Sequence, residues 1–169
     1  MPKEKNMKKI KFNVPMELSE KELESIFDEA MMDVCGARWW KPESETDYNE
    51  AEQELEAEGA EIYNSTIFAR MLFNGKKILL LDPESDFNWS GHKPGELLWN
   101  WQIQAEGCEP ENGTWHAVGL KEITKGLTKY FTEGYASGCN SIQSLLEDGD
   151  FWDHDAVIQC AMYGEVIYG

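Results

Sequence analysis

Residues 66–82 read TIFARMLFNGKKILLLD, and the fold turns on how that stretch divides. Two apolar runs flank Asn74-Gly75, a dipeptide whose access to positive φ suits the tight turn of a β-hairpin. The pattern predicts two strands joined at Asn74-Gly75. Upstream, KKIKFNV (8–14) alternates, with Ile10, Phe12 and Val14 on one side as in a half-buried strand ended by Pro15. SEKELESIFDEAMMDVCG (19–36) follows, with capping-box spacing at Ser19 and Glu22 and apolar residues at helical intervals from Leu23 to Val34. It predicts a helix over 20–34 that stops at Gly36. Downstream, ELLWNWQIQ (96–104) reads as a strand with Trp99, Trp101 and Ile103 on one face. LKEITKGLTKYFTEG (120–134) reads as a helix, NSIQSLLEDG (140–149) as a short turn, DHDAVIQCAMYG (153–164) as a last helix and EVIYG as an extended end. The sum is an α+β fold: a single domain over 8–169, with an antiparallel sheet of about four strands and three to four flanking helices. Residues 1–7 form a flexible basic tail ahead of it.

The totals fit that architecture. The chain has 169 residues, 41% hydrophobic and 12% aromatic, with seven Trp, enough to bury a core without disulfides or metals. Four cysteines, Cys35, Cys108, Cys139 and Cys160, show no zinc spacing and read as reduced thiols. Apolar runs fall short of a membrane span, and the lysine-rich start leads into no signal-type apolar segment, so the expectation is a cytoplasmic protein. Charge is the strongest compositional feature, with 32 acidic against 15 basic residues and a net of −17. Such a surface repels phosphate backbones and anionic membranes, so direct nucleic-acid or membrane binding is not expected and a basic protein partner is.

Acid is densest between 43 and 61, where nine Asp and Glu occur with no basic residue. Glu50, Glu52, Glu54, Glu56 and Glu58 alternate with Ala, Gln and Leu, followed by Glu61. On a strand the five alternating carboxylates would share a face; on a helix they would wrap around it at about 3 Å of rise each. Ala, Glu, Gln and Leu are strong helix formers and poor strand formers, which favours the helix. A charge about every 3 Å approaches the 3.4 Å phosphate repeat of a DNA strand. The alternative for this stretch is a solvated surface segment.

Other candidates carry weaker chemistry. Asp153, His154 and Asp155 are consecutive, and neighbours on a helix diverge by about 100°, so they cannot converge on one ion. They read as the acidic first turn of a helix, where carboxylates cap free N–H groups and oppose the macrodipole. A metal would require His92 or His116 to converge there, and no metal or cofactor is expected. No nucleophile motif or phosphate loop is present, so no catalytic residue is assigned, and Cys/His chemistry remains the enzymatic alternative. Trp39, Trp40, Trp99 and Trp101 could form an aromatic pocket for a neutral planar metabolite or signalling nucleotide, although core packing is the default for such residues.

EAMMDVCGARWW (29–40) and DHDAVIQCAMYGEVIYG (153–169), with a weaker match at LKEITKGL (120–127), resemble a family of small, mostly uncharacterised proteins from phages and mobile elements of Gram-positive bacteria. The chain departs from that pattern at Cys35-Gly36-Ala37, where a double glycine is usual, and the acidic 43–61 stretch lies outside it. The resemblance implies a genomic setting and carries no catalytic residues. Joined to the charge, it leads to the expectation of a non-enzymatic accessory protein. Such a protein would bind a basic groove of a host defence protein, as a restriction enzyme or CRISPR nuclease has, and exclude nucleic acid, with Glu50, Glu52, Glu54, Glu56, Glu58 and Glu61 as its contact surface.

Overall fold

The computed structural model describes residues 16–31, 40–81, 115–135 and 138–167. Three strands pair antiparallel in the order β1 (Trp40–Pro42), β2 (Ile78–Leu81), β3 (Trp115–Val118), with Trp40 opposite Leu80 and Ile78 opposite Val118. Among the described residues six helices surround them: α1 (Glu20–Met31), α2 (Glu45–Glu58), α3 (Asn64–Phe73), α4 (Leu120–Thr132), α5 (Ile142–Asp148) and α6 (Phe151–Tyr163). The fold is α+β, as the alternation of patterns implied, with more helix than expected. The strands expected at 8–14 and 96–104 lie outside the described residues, as do the basic tail and the stop at Gly36.

The largest difference falls on 66–73, which is helix rather than strand. A strand would place Arg70 between Phe68 and Leu72 on one face; a helix groups Ile67, Phe68, Met71 and Leu72 toward the core and leaves Arg70 at the edge. All four of those apolar side chains are buried. At its start the Thr66 hydroxyl accepts from the Tyr63 N–H at 2.9 Å and donates to the Tyr63 carbonyl at 2.8 Å. Asn74-Gly75 is the stop of this helix. Gly75 has φ 78°, its N–H donates to the Leu72 carbonyl at 3.0 Å, and the Lys76 N–H reaches the Met71 carbonyl at 2.8 Å. That pair of bonds is a Schellman closure, which demands the same left-handed residue as a hairpin turn.

α1 begins as read, with Ser19 N–H donating to Glu22 at 2.7 Å and Glu22 N–H donating to the Ser19 hydroxyl at 3.2 Å. Residues 142–148, read as part of a turn, form a short helix because Ser141 caps the Ser144 N–H at 3.1 Å and buries Ile142 and Leu145. At the centre lies α6, buried from Asp153 through Cys160. It packs chiefly on α4 and also meets α1 and β3. Gly126 sets the α4–α6 approach: a Cβ there would lie 2.7 Å from the Ala161 nitrogen and 2.9 Å from the Val157 carbonyl oxygen. Only a residue without a side chain permits backbones so near.

Candidate functional site

The acidic stretch is helix α2, and its local chemistry explains why. The Ser44 hydroxyl accepts from the Asp47 N–H at 3.4 Å, and Glu45 and Asp47 in the first turn suit the positive end of the dipole. Ala51 and Leu55, four residues apart, are its buried positions, so the helix rests on one narrow stripe. Its C-terminal end opposes the dipole, because Glu56 and Glu58 lie there with no basic residue in the last turn.

Arg70 of α3 compensates. Its side chain is 13% exposed, and its guanidinium donates to Glu20 of α1 at 2.7 Å, to both Glu58 oxygens at 3.0 and 2.8 Å, and to Glu54 at 3.4 Å. The bidentate hold on Glu58, then Glu20, raises the already high pKa of Arg70, and the same bond lowers that of Glu58. The Asn74 amide adds a bond to Glu54 at 2.9 Å, and Lys76 meets Asp47 at 2.8 Å.

One flank of α2 is thereby occupied by cations of its own chain. Arg70 links three helices, holding Glu54 and Glu58 of α2 and Glu20 of α1, so these two glutamates of α2, assigned to a free contact surface, already meet a cation of their own chain. A regular ladder of five carboxylates facing one partner is also not what α2 presents, because the 100° step divides them around the axis. On the other flank Glu45, Glu52 and Glu56 have no ion-pair partner among the described residues. There Tyr48, whose hydroxyl donates to Asn64 at 2.8 Å, has a pKa raised by burial and then by the Glu52 charge. Glu50 and Glu61 are exposed, Glu50 within electrostatic range of Lys76 and Glu61 within that of Lys21.

The other candidate residues divide between core and periphery. Trp40 is 3% exposed, edge-on to Phe27 at 5.3 Å and stacked on Phe68 at 6.4 Å. It is a core residue, which removes it from a ligand platform. Trp39, Trp99, Trp101 and His92 lie outside the described residues. Asp153, His154 and Asp155 are buried near the start of α6, but the residue that caps it is Asp150, whose carboxylate accepts from the Asp153 N–H at 3.1 Å. Asp153 completes a capping box, accepting from the Asp150 N–H at 3.0 Å, and also accepts from the Tyr130 hydroxyl at 2.7 Å. Burial and that bond push the Tyr130 phenol far above its usual range. Asp155 accepts from Gln159 at 2.7 Å, and Gln159 accepts from the Ile167 N–H at 2.8 Å, tying the end of the described chain to α6.

His154 is 1% exposed, its Nδ1 has no hydrogen-bond partner among the described residues, and burial lowers its pKa. The Cys160 thiol is buried and pushed up to about 11, so it stays protonated near neutrality, unlike an activated nucleophile. His116 on β3 stands edge-on to Tyr163 at 5.1 Å. Among the described residues no three His, Cys, Asp or Glu side chains converge as metal ligands, and no helix is long and apolar enough to cross a membrane. The division of α2 into two flanks was the signal that sequence reasoning missed; Arg70, framed by apolar residues, was its only trace. No family model, curated protein or solved structure matches the chain.

Proposed function

We propose that the protein is a non-enzymatic binding protein whose acidic α2 flank docks into a basic groove of a nucleic-acid-binding protein and excludes nucleic acid from it. In the setting that the resemblance implies, that partner is a host restriction or CRISPR-type nuclease. One observation carries the reading: α2 is capped at Ser44, clamped by Arg70 on one side, and holds Glu45, Glu52 and Glu56 on the other with no cation of the described chain to meet them. Glu50, four residues before Glu54, lies on the clamped side near Lys76, and Glu61 follows the helix near Lys21, so neither adds to this flank. Carboxylates carried on a preformed helix require no backbone ordering on meeting Lys or Arg, and the partner's displaced counterions favour association.

The contact surface is smaller than the five-Glu ladder, and its two outward carboxylates four residues apart are separated by about 6 Å of helical rise. That spacing suits contact with separate guanidinium groups better than it imitates a continuous phosphate track. The experiment is competition between the purified protein and DNA for a candidate nuclease at rising salt. Inhibition should weaken steadily with salt and disappear in the Glu52→Lys/Glu56→Lys variant; inhibition indifferent to both would overturn the proposal.

A further inference from the structure

We infer that the outer face of α4 is a docking surface for the acidic α2 flank of a second copy of this chain. Lys121, Lys125 and Lys129 are exposed and recur every four residues, about 6 Å apart along one stripe. Cations are scarce here, and several are held by carboxylates of their own chain: Lys21 by Glu24 at 2.7 Å, Lys76 by Asp47, and Arg70 by three glutamates. Lys121 and Lys125 have no such partner among the described residues, and Lys129 reaches Glu133 only at 3.7 Å. Glu52 and Glu56 match the four-residue interval and are equally without a partner. This rests on the same flank as the proposed function but needs no outside protein.

The two faces sit at opposite edges of the described sheet, since α2 packs against β1 and α4 against β3, with β2 between. Pairing therefore runs between copies, head to tail, and propagates unless the rotation closes a ring.

Charge also sets an unusual salt dependence. Two bodies of net −17 repel at long range, whereas the Lys–Glu contacts act at a few ångströms. At about 0.01 M salt the screening length is roughly 30 Å and repulsion dominates; at about 0.1 M it is roughly 10 Å, and at about 1 M roughly 3 Å, where the contacts weaken too. Self-association should thus peak at intermediate salt, while binding to a cationic partner falls throughout. The two also compete, because a copy engaged through α2 has no flank left for a partner.

Sedimentation velocity of the full chain across this salt range tests the inference. Larger species should be most abundant near about 0.1 M salt. The Lys121→Glu/Lys125→Glu and Glu52→Lys/Glu56→Lys variants should each associate about tenfold more weakly. An equimolar mixture of the two should recover association, since reversed charges then face each other. If Lys121→Glu/Lys125→Glu melts early, Lys125→Gln/Lys129→Gln serves in its place. A monomer at every salt, association unchanged by either variant, or a mixture no larger than its components would overturn it. Loss of nuclease inhibition with self-association intact would instead count against the proposed function alone.

Discussion

Helices α2 and α6 both begin in acid, yet one lies on the surface and the other runs through the core. The acids themselves do not decide this; the residues between them do. α2 has Ala51 and Leu55 as its buried positions, a stripe too narrow to draw its glutamates inside. In α6, Ala156, Val157, Ile158 and Cys160 are buried around the helix, so Asp153, His154 and Asp155 are buried with them. Each carboxylate there has a hydrogen-bond donor, from Tyr130, Asp150 or Gln159. On α2 the corresponding groups find either Arg70 and Lys76 or no cation of the described chain. A buried acid is a matter of stability, whereas an acid held outward without a partner is available for recognition.

The contrast breaks most sharply at Gly126. Gly126→Val should force α4 and α6 apart, because its side chain would overlap the Ala161 and Val157 backbone. The expected loss is about 3 kcal/mol or more, read from urea denaturation. Next is Tyr130→Phe, which removes the donor to Asp153 without changing shape; a loss of about 1–3 kcal/mol marks Asp153 as dependent on its partners. A neutral result there would erase the difference between the two helices.

How much of this was legible follows the same physics. α1 and α4 were readable because their apolar residues recur on one side only, whereas α2 was only favoured as helix, since its Ala, Glu, Gln and Leu suit a helix better than a strand while its alternating Glu fit either. Residues 66–73 were not, because Asn74-Gly75 supplies a left-handed residue that closes a hairpin and a helix equally well. Arg70 between Phe68 and Leu72 was the clue against a strand, and its meaning depends on Glu20, Glu54 and Glu58, up to fifty residues away in sequence. The acidity of α2 was plain; the cancellation of one flank needs three helices in place. Which residue caps the start of α6 was blurred for a local reason, since Asp150 and Asp153 share one capping box.

Acidification should reach α6 by a route closed to α2. Burial holds the His154 pKa below its ordinary 6.5, against the pull of Glu29, Asp153 and Asp150 and a backbone hydrogen bond with Leu145. The unfolded chain then binds the proton more readily, so stability falls as pH drops from about 6.5 toward the folded-state pKa. Melting temperatures of the wild type and His154→Leu, followed from about pH 7.5 to about pH 5, should show the variant losing less on acidification. Equal losses would mean that the imidazole is already accommodated in its charged form.

Within α2 the two flanks should separate from each other by a smaller margin. Arg70→Met leaves Glu54 and Glu58 at the negative end of the helix without their cation, so amide exchange in the last turn should rise about tenfold while α6 stays protected. Glu52→Gln and Glu56→Gln remove charges that no described residue neutralises, and stability should move by less than about 0.5 kcal/mol. A rise in stability would be the more informative deviation. It would mean that the outward carboxylates repel one another and act against the dipole, and that the fold retains them for a reason other than its own stability. Stability lost on either change would instead place that glutamate with Glu58, among the groups that hold the helix down.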